Sequence, residues 1–162
     1  MKTATVKELK TELSHHSSTE LINLCLTLAR FKKENKELLT YLLFEAENED
    51  RFIASVKEEV HELFQAINTS SYYFIKKSVR KILRLIKKYI RYSKKKSTAV
   101  ELLLYFLEEM DQLRPSYRRN TTLFNLVERQ VLLIKKDIKT LHPDLQYDYL
   151  TELERIIPTF KD

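Results

Sequence analysis

The chain of 162 residues contains no glycine. Average usage is roughly 7%, so about eleven glycines are missing. Glycine is the residue that lets a backbone take positive φ or approach a ligand closely. Walker loops, the dinucleotide fingerprint, the serine nucleophile elbow and the kinase phosphate loop are all built on it, and all are excluded. Two-residue β-hairpins are disfavoured too, because their turns lean on Asn-Gly or Asp-Gly. What remains open is a chain of helices whose corners are turned by other residues. Asn48, Asn68 and Asn120 are the expected substitutes at left-handed helix ends.

The apolar pattern agrees. A period of 3.6 recurs throughout, while strict alternation is never sustained. A short first helix is expected over about 5–14, with Val6, Leu9 and Leu13 on one stripe. Ser17 and Glu20 form a capping box ahead of a helix over about 18–31, striped by Leu21, Leu24, Cys25 and Leu28. A polar KKENK connector then precedes a helix of about 36–47. Asp50 is expected to cap the next, about 51–68, which turns Phe52, Ile53, Val56, Val60, Leu63, Phe64 and Ile67 inward. A basic helix follows over about 72–93, opened by Ser70 or Ser71. Thr98 pairs with Glu101 as a second capping box for about 98–113. Asn120 or Thr121 starts a long helix to about Leu141, and Pro143 starts the last, ended by Pro158. The 98–113 and 121–141 helices are apolar on two sides, Leu102, Phe106, Leu126 and Leu133 lying across from the main stripes, so both are expected to be central.

The length suits one compact domain with a core of its own. We therefore expect residues 1–162 to form a single all-α domain of about seven helices, in antiparallel helical hairpins, as a bundle or a short HEAT-like αα-stack. Residues 1–16 form a short helix and connector, loosely attached.

Compartment follows from what is missing. MKTATVKELKTEL has no apolar run of about 7–15 residues and reads as neither a secretory signal nor a transit peptide. The longest apolar run, Leu102–Leu107, is far below the ~20 residues of a membrane span. A lone Cys25 permits no intramolecular disulfide and no cysteine-based zinc site. The expectation is a cytoplasmic protein without membrane insertion.

The net charge of +6 is unevenly placed. Residues 71–96 carry 11 basic and no acidic side chains, whereas the segments on either side are each net acidic. On a helical wheel Ile75, Val79, Ile82, Leu83, Ile86, Tyr89 and Ile90 share one arc of about 120°. Lys76, Lys77, Arg80, Lys81, Arg84, Lys87, Lys88 and Arg91 share another of about 140°, with Tyr73 among them. Lys94, Lys95 and Lys96 extend that face. Solvated helix faces normally mix signs, since Glu–Lys pairs at i,i+4 stabilise and like charges at that spacing do the reverse. The ridge is a candidate anion-binding surface, with nucleic-acid backbone the first partner and an acidic protein the second. No base-reading motif accompanies it. The competing reading is a protein–protein adaptor or structural subunit in which the ridge packs on acidic surface, a sister chain's or its own: Glu45, Glu47, Glu49 and Asp50, or Glu58, Glu59 and Glu62. The short Tyr117-Arg118-Arg119 cluster is expected to be a solvated loop.

Nothing resembles a catalytic constellation. Glu58-x-x-His61 matches one half of a di-iron bundle motif, but the other half is missing and both residues fall off the apolar face. His15 and His16 read as a loop pair, His142 as a helix N-terminal neighbour and Cys25 as a buried small hydrophobe. The carboxylate pairs Glu58/Glu59, Glu108/Glu109 and Glu152/Glu154 diverge on their helices. We expect no enzyme activity, no metal and no cofactor. The opening pattern Ser17-Ser18-Thr19-Glu20-Leu21-Ile22, with Leu24, Leu28, Lys32-Lys33 and then Leu38, Leu39, Leu42 and Leu43, resembles a family of small, uncharacterised all-helical bacterial proteins over the first third of the chain. That resemblance implies a helical fold and carries no functional residues.

Overall fold

A computed structural model describes residues 1–157. Among them are eight α-helices and no strand, so the all-α expectation holds with one helix more than about seven. The contacts divide into two compact units, one of Met1–Phe44 and one beginning at Glu45.

The first unit holds α1 (Val6–Leu13), α2 (Ser18–Phe31) and α3 (Lys33–Thr40), followed by a π-helical turn at Tyr41–Glu45. Local polar pairing sets its helix starts. Thr5 and Glu8 cap α1 reciprocally, and Ser17 and Glu20 do the same for α2, with the Ser17 N–H donating to Glu20 Oε2 at 2.8 Å. The KKENK segment is not a connector. It is helical from Lys33, and Asn35 Nδ2 ties the corner to the Leu28 carbonyl at 2.8 Å. Little is buried in this unit beyond Ala29 and Tyr41. The α1 stripe of Val6, Leu9 and Leu13 is exposed, and so is Cys25, against the expectation of a core position. Cys25 instead lines an open depression with Leu28, Leu38 and Leu39, because no further helix of this unit covers the stripe.

The second unit holds α4 (Glu49–Gln65), α5 (Tyr72–Ser93), α6 (Lys96–Gln112), α7 (Thr121–Ile138) and α8 (Pro143–Ile156). Helix α6 is its axis. It packs against α4, α5, α7 and α8, and ten of its residues are buried. That is the result expected of a helix apolar on both sides. Phe64 of α4 and Phe106 of α6 meet at 5.8 Å between ring centroids, and Phe52 and Tyr89 join α4 to α5 edge to face at 5.9 Å. Helix α7 is central on one side only. Leu123, Val127, Val131, Ile134 and Ile138 are buried with Leu126, but Leu133 on the far side stays 40% exposed, uncovered by the described helices of this unit.

Several corners differ from the sequence reading. Asn48, not Asp50, caps α4, accepting from the Arg51 N–H at 3.1 Å. Asn120 likewise caps the start of α7. Neither takes positive φ, and Asn68 accepts from the Ser70 N–H instead. The left-handed corner is Lys94, at φ 61° and ψ 2°, where α5 turns into α6. Thr98 and Glu101 form no capping box. Helix α6 starts two residues earlier, and both side chains serve long-range partners. Tyr117–Arg119 is a 3-10 turn rather than a solvated loop, with Tyr117 fully buried and Arg118 paired to Asp111 at 2.7 Å. His142 caps α8, as its place before Pro143 suggested. Pro158, expected to end that helix, lies outside the described residues.

Candidate functional site

Helix α5 positions the basic ridge by anchoring the opposite face. Ile75, Val79, Ile82, Leu83 and Ile86 are buried, joined by Tyr92. Tyr89 and Ile90, expected to be buried, are only half-buried at the C-terminal end. Burying that stripe forces the cations outward. Lys77, Arg80, Lys81, Arg84 and Arg91 are exposed, while Lys76, Lys87 and Lys88 are half-buried through their aliphatic stems. Tyr73 stands at the N-terminal end, 67% exposed, with its ring against the 42%-exposed Phe74 at 5.3 Å.

The competing reading turns on whether the chain's acids meet these cations. At the C-terminal end they do. Lys95 pairs with Glu49 at 3.0 Å and Lys96 with Asp137 at 2.5 Å. Glu49 also accepts from the Ser93 and Thr98 hydroxyls, the latter at 2.6 Å, and so binds the α5–α6 corner to the start of α4. Glu59 accepts from the Tyr89 hydroxyl at 2.8 Å. Along the ridge itself the pattern changes. Among the described residues, Lys76, Lys77, Arg80, Lys81, Arg84, Lys87 and Arg91 form no ion pair. Lys88 lies over the Tyr89 ring at 5.0 Å and has further contacts.

Two depressions run along this surface. One, of about 430 Å³, is lined by Tyr73, Lys76, Lys77, Arg80 and Arg84. The other, of about 600 Å³, lies between α5 and α7 and shares Arg80 with the first. Its second wall brings in Arg129 and Lys136, which the sequence reading did not place at the site. A signal for them was present: each follows Leu126 or Leu133 by three residues, so the apolar and basic pairs share a two-turn repeat. Burial, with the Arg129 charge across the groove, holds the Lys87 ammonium below the ordinary lysine range. Cations thus meet cations here.

The other candidates stay apart. His61 Nδ1 lies 2.8 Å from Glu109 Oε1, which also accepts from Tyr105 at 2.9 Å, while Glu58 is exposed. His16 lies near Glu20, at 3.6 Å. Among the described residues no three His, Cys, Asp or Glu side chains come together as a metal site would need, and no helix is long and apolar enough to cross a membrane. Compared with protein-family models, with curated proteins and with solved structures, the chain matches none.

Proposed function

We propose that the protein is a non-enzymatic helical binding module whose α5 ridge holds an anionic partner, with nucleic-acid backbone as the first choice; in the 94–96 extension Lys95 and Lys96 are already paired with Glu49 and Asp137. The observation that carries this reading is the run of seven ridge cations that pair with no carboxylate among the described residues, beside a second row of cations on α7. A folded chain gains nothing from such a face on its own, because like charges one turn apart repel. Phosphates along a strand supply the missing counter-charge and release condensed ions as they bind.

The test is a salt titration of oligonucleotide binding followed by fluorescence anisotropy. A footprint of ~4–6 phosphates gives a log–log slope of about −4 to −5. Reversing Arg80, Arg84 and Lys87 to Glu abolishes binding and leaves helicity intact. Absence of binding at about 50 mM salt, where backbone contacts are strongest, overturns the reading.

A second reading, a protein–protein adaptor, draws on the first unit. Ile22, Leu28, Phe31, Leu43 and Phe44 are each more than half exposed there, a concentration of apolar surface that marks contact sites in soluble proteins. Sedimentation over a concentration series separates self-association from a monomer.

A further inference from the structure

The groove between α5 and α7 combines two chemistries. Its rims are cationic: Arg80 and Lys87 on one wall, Arg129 and Lys136 on the other, with no acid among the described residues that line it. Each pair is seven residues apart, so two turns or about 10.5 Å separate the charges along either helix. Its floor is apolar, formed by Leu83, Leu126 and the partly exposed Leu133. Gln130 lies in that floor, 3% exposed. Its Nε2 donates to the Leu126 carbonyl at 2.9 Å, and its Oε1 is enclosed, out of reach of anything in the groove and without a donor among the described residues.

These features discriminate among polyanions. A groove for phosphate alone gains nothing from a leucine floor. A duplex presents sugar and phosphate outward and keeps its base faces stacked, leaving such a floor uncovered. An unpaired base is a flat apolar body with N–H groups on its edge, attached to a phosphate on either side. That description matches floor and rims together. The exposed Tyr73 and Phe74 rings stand at the other end of the same track, linked to the groove through Arg80. Aromatic platforms beside a cationic path are the usual equipment of single-strand binders.

We infer that the α5–α7 groove and the Tyr73 ring form a binding track for single-stranded nucleic acid, taking unpaired bases into the leucine floor and the flanking phosphates onto the four rim cations. The inference rests on the proposed anion-binding ridge and deepens it by naming the strand state. The groove volume of about 600 Å³ is on the scale of small-molecule sites, which run about 300–1,000 Å³.

The experiment measures binding of the full-length chain to a labelled single strand of ~20 nucleotides, to the matching blunt duplex and to polyglutamate, by anisotropy at about 100 mM salt. The single strand is expected to bind about tenfold or more tighter than the duplex. Tyr73→Ala, at an exposed position, weakens the single strand at least about fivefold, the lower end for one stacked base, and leaves the duplex unchanged. Leu133→Glu, also at an exposed position, removes the preference by placing a negative charge in the floor. Equal or tighter duplex binding overturns this inference and leaves the ridge reading standing. So does equal weakening of both ligands by the two variants. Polyglutamate as tight as the single strand overturns it in favour of an acidic protein. No binding to either nucleic acid overturns the ridge reading as well.

Discussion

Lys94 offers a sharp test of how a chain without glycine turns its corners. It closes α5 at φ 61° and ψ 2°, and its N–H donates to the Ile90 carbonyl at 2.9 Å, the single 5→1 bond of a left-handed cap. For a residue with a β-carbon that conformation costs about 1–2 kcal/mol. Lys94→Gly removes the cost, while glycine's freer unfolded chain takes back about 0.5–1 kcal/mol. The expected result is a net gain of about 0.5–1 kcal/mol. Lys139→Gly is the matched control. Lys139 is also an exposed lysine at a helix C-terminus, but it sits at φ −58° and ψ −16°, an ordinary right-handed position. There glycine has no strain to relieve and costs about 0.5–1 kcal/mol. Each variant loses one positive charge, so electrostatics largely cancel and the two should differ by about 1–2 kcal/mol. In a chain of this length that difference is about 2–8 °C in melting temperature. Urea unfolding followed by far-UV circular dichroism measures it. A Lys94→Gly midpoint at or below that of Lys139→Gly refutes the assignment of strain to this corner.

Glu49→Ala removes the acceptor shared by Ser93, Lys95 and the buried Thr98, and should cost about 2–4 kcal/mol in urea unfolding; a loss under about 1 kcal/mol refutes its role as the tie between α4 and the α5–α6 corner. Backbone and hydroxyl hydrogen bonds from Thr5 and Ser17 lower the Glu8 and Glu20 carboxyls, so their stabilisation of α1 and α2 is present above the ordinary glutamate range and lost as pH falls through the lowered values. Helical NMR shifts at residues 6–10 and 18–22 should therefore decay on acidification, and Glu20→Ala should abolish the dependence at 18–22. Among the described residues the buried Tyr117 hydroxyl meets no partner in good hydrogen-bond geometry, with the Arg118 guanidinium 4.9 Å from its ring, so Tyr117→Phe should be neutral to within about 1 kcal/mol; a larger loss shows a partner for the hydroxyl. Arg84→Glu converts the like-charge pairs with Arg80 and Lys88 into attractive ones and should stabilise the chain by up to about 1 kcal/mol at low salt while weakening oligonucleotide binding. Stability and affinity moving in the same direction refutes that trade-off.

Local signals were the legible ones. The Ser17–Glu20 capping box, the α5 stripe and the double-sided α6 all follow from neighbours within one or two helical turns. Long-range competition explains the departures. Glu101 was free to cap Thr98 by spacing, but Lys57 at 3.3 Å and Tyr149 at 3.1 Å hold it across α6, from residues 44 and 48 positions away. Thr98 turns to Glu49 for the same reason. Tyr149 reports the contact through a phenol pushed well up by burial and the Glu101 charge. Leu133 and Cys25 lie on apolar stripes that periodicity reads as core. Whether a stripe is covered depends on which helix arrives, and no local pattern encodes that. The ridge was visible as a face of one helix, whereas the groove needed Arg129 and Lys136 from a helix some fifty residues further on.

The disposition of the carboxylates bears most directly on function. Residues 45–62 supply seven acids, enough in number to face the ridge. Glu49 goes to two hydroxyls and the terminal Lys95, and Glu59 goes to a tyrosine hydroxyl. On α6, Glu101 and Glu109 accept from Tyr149, Lys57, Tyr105 and His61. These acids join helices to one another around α6, with neutral donors in most of the bonds. Glu47, Asp50, Glu58 and Glu62 are exposed and pair with no ridge cation among the described residues. Glu49 and Glu59 thus sit at helix joints, the exposed acids lie elsewhere, and the middle of the ridge stays cationic, with Arg129 adding positive charge opposite Lys87. Five like-charge pairs at i,i+4 along α5 persist at a cost of about 0.2–0.5 kcal/mol each, and a single Glu at Arg84 would relieve two of them. A face that keeps such a penalty, beside an apolar groove rimmed by further cations, has its compensation in whatever binds there.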